Sequence, residues 1–374
     1  MTSSLLQMVL YSLGMGLILL SSTPPDYLFR SSDEFIAAHG FPSEVHFVRT
    51  SDGFILRVFR IPHSRNSTHI GPPVLLYHSI LYSSDEFLLD TSTPGSSLAL
   101  MLSENGMDVW IANKRGNHYC LQHDRLSPES EEFWKWSFDQ VAKYDVPAIV
   151  DYILQLNQGY SKVGFLGHSE GATIGLAAAI VAKNKNKLGP LILLNPIMNL
   201  STKSVHGQVG RVAEQGIYWI FGKKSFMQQS PQLSMLAWSI CTKCPKCCER
   251  LLLLICGGNQ ELLANFNMRM LQYYFSVPLS GTSMINLGHW LQCMASGEFR
   301  MYDWGSPIDN WIHYKQVIPP RYDLSKVQSP VSIFTGAFDP ISKDGNLPTL
   351  MSQLNPGFFL HVEEQYGHLE SVLG

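Results

Sequence analysis

The chain has 374 residues, 45% of them hydrophobic, with 27 basic and 30 acidic side chains and a net charge of −3. Such a length and apolar share exclude a disordered or collagen-like chain, and the near-neutral balance excludes the basic footprint of a nucleic-acid binder. Charged residues are only 15%, while 8 Trp, 15 Tyr and 19 Phe supply apolar surface for a large core or an apolar ligand.

No charged side chain precedes Asp26, and residues 5–20 form a mostly apolar run broken by Gln7 and Ser12. The run is short for a membrane span of roughly 20 residues. Followed by Ser21, Ser22 and Thr23, it reads as a secretory signal peptide over residues 1–23, with an uncleaved anchor as the alternative. Secretion gives meaning to Asn66-Ser67-Thr68 and Asn199-Leu200-Ser201, which place N-glycosylation acceptors at Asn66 and Asn199.

From Pro73 onward, short apolar runs alternate with helical pattern. Runs at 74–77, 107–112, 163–166, 191–194, 331–334 and 359–362 predict strands. Val146, Ile149, Val150, Ile153 and Leu154 repeat at helical spacing, with Asp145 as the expected N-cap and Pro147 tolerated in the first turn. The alanine-rich stretch 172–182 predicts another helix. Buried strands separated by helices make a mostly parallel sheet with helices on both faces, an α/β fold.

The rhythm fails between 196 and 306 and then returns. The expected organisation is a core in two parts, 24–195 and 307–374, around a mainly helical cap at 196–306. Such a cap would cover the strand ends, where open α/β sheets bind ligands. Inside it, Cys241, Cys244, Cys247, Cys248 and Cys256 crowd together, with Cys120 and Cys293 elsewhere. In an oxidising compartment a short-loop disulfide is favoured there over a zinc site, whose ligands normally come as two separated pairs.

Gly167-His168-Ser169-Glu170-Gly171 matches G-x-S-x-G between a strand and a helix, the context that this motif requires. The turn thrusts Ser169 out in a strained conformation, and the new helix points its free N–H groups at any oxyanion formed there. A serine nucleophile needs a base, and the base needs a carboxylate. In the chain order serine, acid, histidine, Asp339 closes the 331–334 strand and His368 follows the 359–362 strand, with Asp344 and His361 as rivals. The oxyanion donors are expected to be the N–H of Glu170 and, in the loop after the 74–77 strand, that of Ile80. His78 reads as a residue that shapes this loop through backbone hydrogen bonds.

These motifs resemble the acid lipase family of the α/β-hydrolases. The resemblance extends over Gly40-Phe41-Pro42, the stretch from Thr50 to Leu56, Asn113-Lys114-Arg115-Gly116-Asn117, Ser137-Phe138-Asp139, His289-Trp290 and Tyr302-Asp303-Trp304-Gly305-Ser306. It implies a lipase or carboxylic ester hydrolase of the α/β-hydrolase fold, cleaving triacylglycerol or steryl esters with Ser169, Asp339 and His368, without cofactor or metal. It also implies a disulfide between Cys248 and Cys256. The expected partners are a lipid ester and a droplet or micelle surface, with no nucleic acid and no obligate protein partner. The expected location is secreted, with the lysosome as alternative.

Two departures stand out. Ser79 replaces the family's usual glycine, and Glu170 its usual glutamine. A carboxylate beside the nucleophile opposes a developing oxyanion unless it is protonated or turned away, so Glu170→Gln is expected to match or exceed the parent in activity. A lipase-like protein that binds lipid without cleaving it is the alternative function, and acyl transfer is a second enzymatic one.

Overall fold

A computed structural model describes residues 30–89, 97–184, 186–198, 216–218, 222–256, 280–343, 346–354 and 357–373. The expected signal segment, Asn199 and Asp344 lie outside these residues. Asn66 is exposed in a loop.

The main sheet is mixed. Its strands are β1 (Glu44–Arg49), β2 (Phe54–Ile61), β3 (Pro73–Tyr77), β4 (Asp108–Ile111), β5 (Gln122–His123), β6 (Val163–His168) and β7 (Leu188–Leu194). After the short β8 (Ser225–Phe226) and β9 (Thr282–Ser283) come β10 (Val331–Gly336) and β11 (Phe359–Glu363). The order is β1-β2-β4-β3-β6-β7-β10-β11, with β5 on β2, and β8 pairs separately with β9. From β4 to β11 every neighbour is parallel. The first two strands add an antiparallel hairpin, Glu44 facing Arg60.

Helices among the described residues include α1 (Ser32–Ala38), α2 (Leu98–Glu104), α3 (Val146–Leu156), α4 (Glu170–Ala179), α5 (Pro231–Lys243), α6 (Pro245–Cys256), α7 (Met284–Ser296) and α8 (Pro307–Tyr314). At the centre of the sheet, in β3 and β4, both faces are buried, whereas the edge strands β1 and β11 are partly exposed. In β3, Leu75 and Tyr77 enter one core cluster while Val74 and Leu76 enter the other, as the two-residue period of a strand requires. That is why these strands read as continuous apolar runs rather than as alternating ones. Helix α3 buries Val146, Ile149, Val150 and Ile153, the spacing expected of it.

Asp145 does something other than the expected cap. It has helical backbone angles and makes no side-chain cap bond, because a π-turn over Val141–Asp145 runs straight into α3. Pro147 cannot donate to a carbonyl in the preceding turn, which disrupts the helical ladder there. The freed carboxylate turns inward to buried Arg115, 2.8 Å from its Nε, while Asp52 takes the far side of the guanidinium at 2.7 and 3.0 Å.

Between β7 and β10 the described residues are mainly helical. Helices α5 and α6 form a hairpin turning at Cys244 and Pro245, and two disulfides close it, Cys241–Cys248 and Cys244–Cys247. This corrects the expected Cys248–Cys256 bond. Both of those residues lie on α6, eight positions apart, and a helix separates such Cα atoms by about 12 Å. A disulfide tolerates about 7 Å at most. Cys241 meets that limit, its Cα being 5.5 Å from that of Cys248 across the hairpin.

Candidate active site

The carboxyl ends of β3, β6, β10 and β11 converge. Ser169 follows β6 directly and has φ 54° and ψ −117°, a region that costs a non-glycine residue about 1–3 kcal/mol. Two glycines make the turn possible: a Cβ on Gly167 would strike the backbone of Gly171, and one on Gly171 would strike the carbonyl of Tyr77. The strand and helix therefore approach closely enough to aim Ser169 at its neighbours.

His368 Nε2 lies 2.9 Å from Ser169 Oγ, and His368 Nδ1 lies 2.8 Å from Asp339 Oδ2. A carboxylate only accepts, so Nδ1 carries the proton and Nε2 accepts from the serine hydroxyl. Asp339 is fully buried and also accepts from Ile341 N (2.8 Å), Ser342 N (3.0 Å) and Ser342 Oγ (2.7 Å). Burial alone would raise its pKa, but His368 and the Ser342 hydrogen bonds hold it below the ordinary carboxylate value. It remains ionised where the imidazole works. His361 is elsewhere, exposed on edge strand β11 and facing Glu363.

Asn195 Nδ2 donates to the carbonyls of Gly367 (2.9 Å) and His368 (2.6 Å), fixing the histidine loop. His78 donates from Nδ1 to the Ser79 carbonyl (2.8 Å) and accepts at Nε2 from Lys114 N (3.1 Å). Burial and Lys114 push its pKa well down, which suits a neutral ring that shapes the loop carrying Ile80. The Glu170 N–H heads α4, and N–H groups in a first turn have no partner within their helix.

The side chain of Glu170 overturns the expectation attached to it. It is fully buried and turned away into an ion pair with Lys114, itself fully buried. Its Oε1 accepts from Asn286 Nδ2 at 2.6 Å and from Trp290 Nε1 at 2.7 Å. The charge that was expected to oppose an oxyanion is compensated, and it ties the turn after β6 to α7.

A second carboxylate does similar work on the other side. Glu86 accepts from Ser79 N (2.7 Å), Ser79 Oγ (2.8 Å) and His168 Nδ1 (2.7 Å). His168 Nε2 reaches the carbonyl of His368 at 3.0 Å. With acceptors at both ring nitrogens, His168 is doubly protonated. Burial would lower its pKa, yet the charge and hydrogen bond of Glu86 raise it above the ordinary value. One buried pair thus joins the loop after β3, the turn after β6 and the loop bearing His368. Neither Glu86 nor Lys114 was legible in the sequence, since each meets its partner across tens of residues, 82 and 56 respectively.

A raised histidine pKa stabilises the fold fully below the unfolded value of about 6.5, and that contribution fades as pH rises through the folded value. Glu86→Gln should therefore cost about 1–3 kcal/mol near pH 5.5 and clearly less near pH 9. Urea unfolding of both proteins at the two pH values measures this. An equal loss at both would show that His168 carries no charge.

Residues between β7 and β10 reach this end of the sheet. Ser280 N donates to the Leu81 carbonyl (2.9 Å) and Gln228 Nε2 to that of Gly116 (2.7 Å). Asp139, beside α3, accepts from Tyr302 N at 2.9 Å and from the Tyr322 hydroxyl.

Comparison with known proteins agrees with this architecture. A family model described as alpha/beta hydrolase fold matches residues 72–372, and one described as partial alpha/beta-hydrolase lipase region matches residues 32–91. The chain is 34% identical over 346 residues to gastric triacylglycerol lipase of Bos taurus, spanning 91% of this chain and 86% of that one. It is 34% identical over 348 residues to the lysosomal acid lipase/cholesteryl ester hydrolase of Homo sapiens, with the same coverage. Among solved structures, a soluble variant of monoglyceride lipase from Saccharomyces cerevisiae superposes with a TM-score of 0.53 at 15% identity, covering 89% of each chain. An alpha/beta hydrolase fold protein from Nakamurella multipartita gives 0.53 at 13% identity, covering 88% of this chain and 93% of that one.

Proposed function

The chain belongs to the α/β-hydrolase lipases, and on that premise we propose that this carboxylic ester hydrolase cleaves triacylglycerol or steryl esters through an acyl-enzyme on Ser169. One observation carries the assignment of roles: a continuous hydrogen-bonded line from Ser169 Oγ through His368 to Asp339. Ser169 Oγ attacks the ester carbonyl while His368 Nε2 takes its proton and then returns it to the leaving alcohol. Asp339 holds the imidazolium that forms. The N–H groups of Glu170 and Ile80 receive the oxyanion, one such donor contributing about 3 kcal/mol. Water then repeats the sequence on the acyl-enzyme, with no metal or organic cofactor required.

Residues 196–306 act as the cap in this reading, shielding an acyl chain from water. The protein is exported, glycosylated at Asn66 and Asn199, and works on a droplet or micelle surface. Among the described residues no helix is long and apolar enough to cross a membrane.

The test is labelling with a serine-directed phosphonate, followed by assay on a panel of triacylglycerols and steryl esters from acid to neutral pH. Modification of Ser169 together with turnover of at least one ester class is the expected result. An unlabelled Ser169 in folded protein would leave lipid binding without hydrolysis as the function.

A further inference from the structure

We propose that the Cys244–Cys247 disulfide is a thiol–disulfide exchange site, open to external thiols while the surrounding Cys241–Cys248 bond keeps the hairpin closed. The two bonds are nested, the inner one spanning three positions and the outer one seven. Their surroundings differ sharply. Cys241 and Cys248 are 2% and 3% exposed and belong to a core cluster that includes Leu369 and Val372. Cys247 is exposed and Cys244 half-buried. Exchange requires a thiolate to reach a sulfur in line, so access separates the pairs.

Three further features favour the inner bond. Cys244 immediately precedes the first residue of the twelve-residue helix α6, and Cys247 lies in its first turn. A thiolate released there meets the positive end of the helix, the setting that lowers cysteine pKa in C-x-x-C pairs. Lys243, Lys246 and Arg250 are exposed around it, against one acid, Glu249, so an anionic thiol is drawn in. Finally, the outer bond already joins α5 to α6, leaving the inner one with only two intervening residues to constrain. A disulfide closing so short a loop restricts the unfolded chain little.

The chemistry balances with a dithiol as reductant. Its thiolate attacks Cys247 Sγ, the Cys244–Cys247 bond breaks, and Cys244 leaves as a thiolate at the helix start. The second thiol of the reductant then attacks the sulfur joined to Cys247, closing the reductant into its own disulfide. Cys247 leaves and takes up a proton. Two electrons pass from the dithiol to the cysteine pair.

The experiment uses the full chain under native conditions. Dithiothreitol is added, portions are quenched with acid and alkylated, and each cysteine is followed by peptide mass spectrometry. Cys244 and Cys247 should become alkylated about tenfold or more faster than Cys241 and Cys248. Lys246→Glu should slow opening by glutathione, which carries net negative charge beyond its thiolate, several-fold more than opening by mercaptoethanol, whose only charge is the thiolate. Equal rates for the two pairs, earlier opening of Cys241–Cys248, or a Lys246→Glu effect of the same size with both thiols would each overturn the proposal.

Discussion

Ser169→Ala is expected to lower kcat by about 10⁶-fold, the cost of removing a nucleophile that acts as one unit with its base. The fold should survive. Alanine keeps the backbone conformation, and the neighbours Gly167 and Gly171, which permit the close turn, are untouched. The measurement is kcat on one soluble ester beside urea unfolding of both proteins. Residual turnover above about one-thousandth of the parent would move the nucleophile elsewhere, since the oxyanion donors alone support only a small fraction of the rate.

The second large effect concerns stability. Glu170→Gln should destabilise the protein by about 3–5 kcal/mol, the usual cost of removing one partner from a buried ion pair. The amide oxygen can still accept from Asn286 and Trp290, which lie 2.6 and 2.7 Å from the native carboxylate. The Lys114 ammonium, however, loses its counter-charge in a site where both side chains are fully buried. Adding Lys114→Met to Glu170→Gln should restore most of the loss, because an uncharged pair of similar volume leaves no buried charge behind. Chemical denaturation of the three proteins decides this. A single variant as stable as the parent would mean that the ammonium finds another acceptor.

That reversal marks where sequence reasoning reaches its limit. The meeting of Ser169, His368 and Asp339 was legible because each stands at the end of an apolar run in a fixed chain order, a local signal with a topological rule behind it. The parallel half of the sheet was legible for the same reason. The environment of Glu170 was not, since its partners Lys114, Asn286 and Trp290 lie 56, 116 and 120 residues away. Asp145 carried a strong capping signal, but Arg115, 30 residues distant, claimed its carboxylate. The cysteine pairing failed through geometry: a turn at Cys244 and Pro245 brings Cys241 to Cys248, whereas one continuous helix holds Cys256 away. The β1–β2 hairpin escaped notice because it lies ahead of the first parallel-sheet pattern and carries charged residues such as Arg57 and Arg60 among its apolar ones.

The distance along the chain between the reacting groups has a consequence for biosynthesis. Ser169 and His368 touch, yet 199 positions separate them, and the histidine loop follows β11, the edge strand at the far side of the sheet. A ribosome delivers the serine turn long before the strand that seats its base. On the proposed roles, the partly made polypeptide carries a hydroxyl without its base, and ester cleavage waits until β11 has docked on β10. Closing so long a loop is slow compared with forming local contacts. Reactivity of Ser169 towards a phosphonate is consequently a clock for the last stage of maturation, and nascent chains released before residue 359 should stay unlabelled however well their first strands have formed.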